Sequence, residues 1–126
     1  MNSSKFLAVV AAYAIATGAS IVSAHEAAKG ANGGWRVDAG KYHTEVVTDG
    51  TPTVVIYLSD VENKSLPTAG FKGSAILVID GKTQKFDLVA ADGSKLVGTA
   101  TTPVKSGVKG VIQITAPDGS TAQGKL

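Results

Sequence analysis

Five side chains between residues 25 and 45 carry groups that bind transition metals: His25, Glu26, Asp38, His43 and Glu45. His43 and Glu45 stand two apart in "KYHTEVV", so on a strand both leave the same face. An imidazole beside a carboxylate suits Zn(II), Cu(II) or Ni(II), although His-x-Glu alone also fits a merely polar strand face. His25 adds to the pair because it directly follows the best cleavage point of an apolar leader, in "VSAHEAAKG". A chain that begins there offers its α-amine and its own imidazole Nδ1 as one chelate ring. Reference pKa values of about 7.7–8.0 for the amine and about 6.5 for the imidazole let a metal displace those protons near neutral pH. A second imidazole from His43 completes an N₃ set of the kind Cu(II) favours, with Glu45, Glu26 or Asp38 supplying oxygen. The expected site is one Cu(II) or Zn(II) on His25, His43 and Glu45.

The leader decides whether that chelate exists. Residues 1–24 read as a secretory signal: Lys5 gives the positive start, "FLAVVAAYAIATGASIV" the apolar stretch, and "VSA" the small residues at the cut. Cleavage is expected after Ala24, which places the protein in the periplasm. The apolar run is short for a membrane anchor and is broken by Thr17, Gly18, Ser20 and Ser23. With no cysteine there is neither a lipoprotein attachment point nor a disulfide. Residues 25–126 are enough for one self-supporting core. The chain has 12 basic and 10 acidic residues, and losing Lys5 leaves 11 against 10, a net charge of +1. No basic run interleaved with aromatics points to nucleic acid. No amphipathic helix points to a membrane partner after cleavage.

Strands must position the candidate ligands. Four Asp-Gly pairs, at 49–50, 80–81, 92–93 and 118–119, punctuate the chain, and such pairs suit turns whose central residues take positive φ. Between them lie segments rich in Val, Ile, Thr and Tyr: 35–39, 42–48, 53–59, 74–79, 83–90, 95–101, 109–116 and the closing "STAQGKL". Val54, Ile56 and Leu58 share one face, as do Phe86, Leu88 and Ala90, and Ile112, Ile114 and Ala116. No stretch beyond the leader holds a helical period. The fold expected is all-β, an antiparallel β-sandwich or small barrel of about eight short strands. The long connections 60–73 and 102–110 predict Greek-key crossovers. Residues 25–34 form a small-residue arm before the 35–126 domain, flexible unless something holds it.

Catalysis finds little support. There is no cysteine nucleophile, no Gly-x-Ser-x-Gly elbow and no phosphate-cradling glycine loop, so the chain is expected not to be an enzyme. Trp35 reads as a core plug at one end of the fold. Asn32-Gly33-Gly34 reads as a turn rather than an anion nest.

The stretch "GANGGWRVDAGKYHTEVVTDGTPTVVIYLSD" resembles a family of small exported β-domains associated with periplasmic heavy-metal efflux. It is also similar to an N-terminal segment of RND-type cation efflux adaptor proteins. In both, a His and an Asn-Gly-Gly or Gly-Gly element lead into a strand, and a second strand carries a His or acidic residue. The corresponding positions here are His25, Asn32-Gly33-Gly34, His43 and Glu45, and "PDGSTAQGKL" looks like the closing strand. Many such proteins carry a His-rich arm, whereas His25 is alone here. The resemblance implies binding or buffering of a divalent transition metal, with an efflux adaptor or other envelope protein as partner. The alternative is a metal-free periplasmic docking domain of an envelope complex.

Overall fold

A computed structural model describes residues 28–126, and the leader 1–24, His25 and Glu26 lie outside the described residues. Nine strands follow in order: β1 (Ala28–Lys29), β2 (Trp35–Ala39), β3 (Tyr42–Thr48), β4 (Thr53–Ser59), β5 (Lys72–Ile79), β6 (Lys82–Ala91), β7 (Lys95–Thr99), β8 (Lys109–Thr115) and β9 (Thr121–Lys125). All pairings are antiparallel, in the order β2-β3-β4-β7-β6-β5-β8-β9, and Ala39 opposite Gly124 returns β9 to β2. The sheet is therefore closed on itself. Of the two architectures expected, sandwich and small barrel, the chain adopts the barrel. β1 is an additional strand on the Trp35–Arg36 end of β2.

Alternation of apolar and polar residues selects the inner face of each strand. Val54, Ile56, Leu58, Ala75, Leu77, Leu88, Leu96, Ile112 and Ile114 fill the interior and are all but inaccessible to water. An eight-stranded barrel is just wide enough for such side chains to fill, so the interior is a core rather than a channel. Each one-residue slip would turn this set outward, and burial thus fixes the register.

Both long connections are Greek-key crossovers. Residues 60–71 carry the chain from β4 past β7 and β6 to β5, and residues 100–108 carry it from β7 past β6 and β5 to β8. Each also closes one end of the barrel. At the first, Thr68 is fully buried, its N–H donates to Gly93 O (3.0 Å) and its hydroxyl to Lys95 O (3.1 Å). At the second, Val104 is fully buried, its N–H donates to Thr51 O (3.0 Å) and its carbonyl accepts from Gly50 N–H (3.1 Å).

The four Asp-Gly pairs divide into two kinds. Asp80-Gly81 and Asp92-Gly93 take positive φ at both residues, as the tight turn demands. At 49–50 and 118–119 only the glycine does. There the aspartates instead accept hydrogen bonds from the backbone and hydroxyl two residues on, at Thr51 and Ser120.

Candidate functional site

His43 and Glu45 do leave β3 on the same face, outward, because Thr44 and Val46 between and beyond them point into the core. Their side chains then part company. Glu45 is only 6% exposed, covered by the turn that precedes β2. Its Oε2 accepts from the N–H groups of Asn32 (2.9 Å) and Gly34 (2.8 Å), and its Oε1 from Asn32 N–H (3.1 Å) and Asn32 Nδ2 (3.0 Å). Gly30 N–H donates to Gly34 O (2.8 Å) and closes the turn. Gly30 cannot be larger, since a Cβ there would fall 2.1–2.5 Å from the Glu45 side chain. Asn32-Gly33-Gly34, expected to be a turn rather than an anion nest, is a turn that serves as a nest for the protein's own carboxylate. Residues 28–34, the described part of an arm expected to be flexible unless something holds it, are held against the barrel by β1 and by Glu45.

His43 belongs to another cluster. It pairs across the strands with Asp38, and its Nε2 lies 3.3 Å from Asp38 Oδ1. Its Nδ1 lies 2.7 Å from Asn63 Oδ1, which also accepts from Arg36 Nη1 at 2.8 Å. Arg36 can only donate, so the Asn63 atom in this position is the oxygen, and His43 Nδ1 must carry the proton it shares with it. The ring's other nitrogen faces a carboxylate oxygen of Asp38. Asn63 reaches this point from a compact loop. It takes a left-handed φ of 64°, and Asp60 Oδ1 accepts from the N–H groups of Glu62 and Lys64.

Asp38 stood in the sequence as one of three alternative oxygen donors with Glu45 and Glu26; Glu26 lies outside the described residues, and of the other two it is Asp38 that the fold brings to His43. Asn63 and Arg36 were not anticipated. They lie 20 and 7 residues from His43, and only the register and the 60–64 loop bring them together. A groove of about 470 Å³ beside the cluster is lined by Arg36, Glu45, Tyr57, Asn63 and Ser94, among others. Trp35 was expected as a core plug. It does stand at one end of the barrel, but 45% exposed, over a smaller apolar pocket of about 290 Å³ with Val37, Val46 and Leu126.

In β1, Ala28 is opposite Arg36 and Lys29 opposite Trp35, and His25 lies outside the described residues. Comparison of the chain with protein-family models, with curated proteins and with solved structures returns no match.

Proposed function

We propose that this chain is an exported, non-enzymatic binder of one divalent transition metal, Zn(II) or Cu(II), that buffers the ion in the periplasm beside an efflux system. The observation that carries the reading is the His43–Asp38 pair. With Nδ1 turned to Asn63, Nε2 faces Asp38 Oδ1 at 3.3 Å across the β2–β3 pair. An imidazole nitrogen and a carboxylate oxygen so placed can share a cation between them. The separation exceeds the ~2.7–2.9 Å of a charge-assisted hydrogen bond. It is close to the N···O edge of a tetrahedral site whose metal–ligand distances are about 2.0–2.2 Å. An Nδ1–H bonded to an amide oxygen is also the support that orients a ligating imidazole and raises its basicity.

Two donors do not hold a metal tightly, and among the described residues no third ligating side chain joins them. His25 supplies the rest if cleavage follows Ala24. The three residues before Ala28 span at most ~10 Å, and Ala28 stands opposite Arg36, two residues along β2 from Asp38. The amine and imidazole of His25, Nε2 of His43 and a carboxylate oxygen of Asp38 then form an N₃O set suited to either metal. Glu45, the oxygen donor first expected, ligates in this reading only by giving up the four hydrogen bonds that hold the 30–34 turn. The partner the resemblance suggests is a periplasmic efflux adaptor. Calorimetry on exported protein with an authentic His25 terminus tests the proposal, and absent heats for both metals would refute it.

A metal-free docking domain is the second reading, and one observation favours it. Val47, Val55, Val97 and Val89 lie directly opposite one another across β3, β4, β7 and β6, all on the outer surface, with Val89 59% exposed. An uncharged row four strands wide suits a protein partner.

A further inference from the structure

Lysines that are scattered along the sequence converge on one wall of the barrel. Register places Lys85, Ile76, Val111 and Lys125 side by side across β6, β5, β8 and β9, with Thr83, Val78 and Lys109 in the adjoining rank. These side chains point outward, because the alternate residues Ala75, Leu77 and Ile112 are in the core. Ile76 is 38% and Val78 46% exposed, and Val111 is half-buried. Lys72, two ranks from Ile76, adds a fourth ammonium group. Among the described residues, none of the four lysines forms an ion pair. Asp87, opposite Ser74, is the acidic group within this wall, and Asp80 and Asp118 sit in the turns at its ends. The far wall differs: around β1 to β4, β7 and their loops, Asp38, Glu45, Asp49, Asp60, Glu62 and Asp92 stand against Lys29, Arg36, Lys41, Lys64 and Lys95, so its charges nearly cancel, two of the pairs being Lys64–Glu62 and Lys95–Asp92.

We infer that the β6-β5-β8-β9 wall docks this protein onto an anionic lipid surface. Three features favour lipid over an acidic protein. The wall is the convex outside of a closed barrel with its backbone hydrogen bonds spent, so it cannot add a strand from a partner. Its cations are all lysines, point charges on flexible stems that suit diffuse surface charge, whereas shaped carboxylate recognition favours arginine. Its apolar centre is small and branched, and the flanking lysine stems can extend over it with their charges at headgroup level. The charge asymmetry between the two walls would orient the molecule, leaving the His43–Asp38 face towards the aqueous space.

Cosedimentation of exported protein with phosphatidylglycerol–phosphatidylcholine vesicles, and with phosphatidylcholine alone, tests this in the presence of a chelator so that metal plays no part. Binding should require the anionic lipid and weaken as salt is raised. Each lysine near such a surface is worth roughly fivefold in affinity, so Lys85→Glu, Lys109→Glu and Lys125→Glu together should weaken binding roughly a hundredfold or more. Lys29→Glu, Lys64→Glu and Lys95→Glu change the net charge equally on other surfaces and should cost far less. Ile76→Gln with Val78→Gln leaves every charge in place and should weaken binding several-fold. Melting curves confirm that each variant is folded. The inference is overturned if the anionic vesicles fail to bind, if the two triple variants lose binding equally, or if polyglutamate binds while vesicles do not.

Discussion

Asn32 and Glu45, thirteen residues apart, are joined by three hydrogen bonds, two from the Asn32 backbone N–H and one from its side-chain amide. Together with Gly34 N–H they make a buried carboxylate the fastening point of the segment that leads into the barrel. Glu45→Gln keeps the shape but turns an amide NH₂ towards N–H donors. Hydrogen bonds to a charged group are worth about 1.5–3 kcal/mol each, and an unsatisfied buried donor adds to the loss. Urea unfolding should show Glu45→Gln destabilised by about 2 kcal/mol. Hydrogen exchange at Asn32 and Gly34 should rise further than at Ile56, in the core. Equal protection in variant and wild type would mean the carboxylate does not hold the turn.

Gly81 gives a sharper test of the barrel's turns. It has a φ of 77° with nothing within 4 Å of a Cβ, so only backbone strain opposes a side chain there. Gly81→Val should cost on the order of 1 kcal/mol or more, because a β-branched residue resists positive φ. Gly81→Asn should cost markedly less, since asparagine tolerates that region. Thermal melts of the two variants make the comparison, and equal melting temperatures would contradict the turn.

Asp49 and Asp118 should shape the acid limb of stability. The hydroxyl of Thr51, then its N–H, holds the Asp49 carboxyl below its ordinary 3.8, and the hydroxyl and N–H of Ser120 do the same for Asp118. A carboxyl depressed in the folded state contributes stability that is complete above its unfolded pKa and is lost as pH falls through the folded one. The contribution is therefore present above about pH 4 and fades below it. Asp49→Ala and Asp118→Ala should lower stability at neutral pH, and the deficit should narrow in acid. A deficit that stays constant with pH would show that ionisation has no share in these turns.

Much of the barrel was legible because one face of each strand is buried. Strands 35–39, 42–48 and 53–59 coincide with their expected bounds, and both Greek-key connections fall within two residues of the bounds expected, at 60–71 and 100–108. Closure was not legible, since it hangs on the pairing of Ala39 with Gly124, two small residues with no pattern to mark them. β1 was missed because two residues show no alternation. At the site, the shared face of His43 and Glu45 followed from the period of two. The use of Glu45 did not, because its partners are mostly backbone N–H groups, which no residue type announces. Asp38 was readable as a candidate, but preferring it to Glu45 required the β2–β3 register.

That choice yields the last prediction, an order of effects among carboxylates. If Asp38 gives the oxygen ligand, Asp38→Asn should weaken Zn(II) or Cu(II) binding by about tenfold or more. Glu45→Gln should act less on affinity than on stability, since its oxygens face Asn32 and Gly34. His43→Ala should weaken binding most, because nitrogen is the preferred donor. Asn63→Ala, which removes the acceptor for Nδ1–H, should cost about 10–100-fold, as loss of an orienting partner does. One extra residue placed before His25 should also weaken binding, by moving the free amine away from that imidazole. Acidification should weaken binding in every form that retains it, because protons compete for imidazole and amine. Calorimetry at about pH 7.5, where the reference imidazole is mostly neutral, reads all five variants. If Glu45→Gln abolishes the heats while Asp38→Asn leaves them intact, the carboxylates were assigned the wrong way round and the 30–34 turn must open to admit the metal.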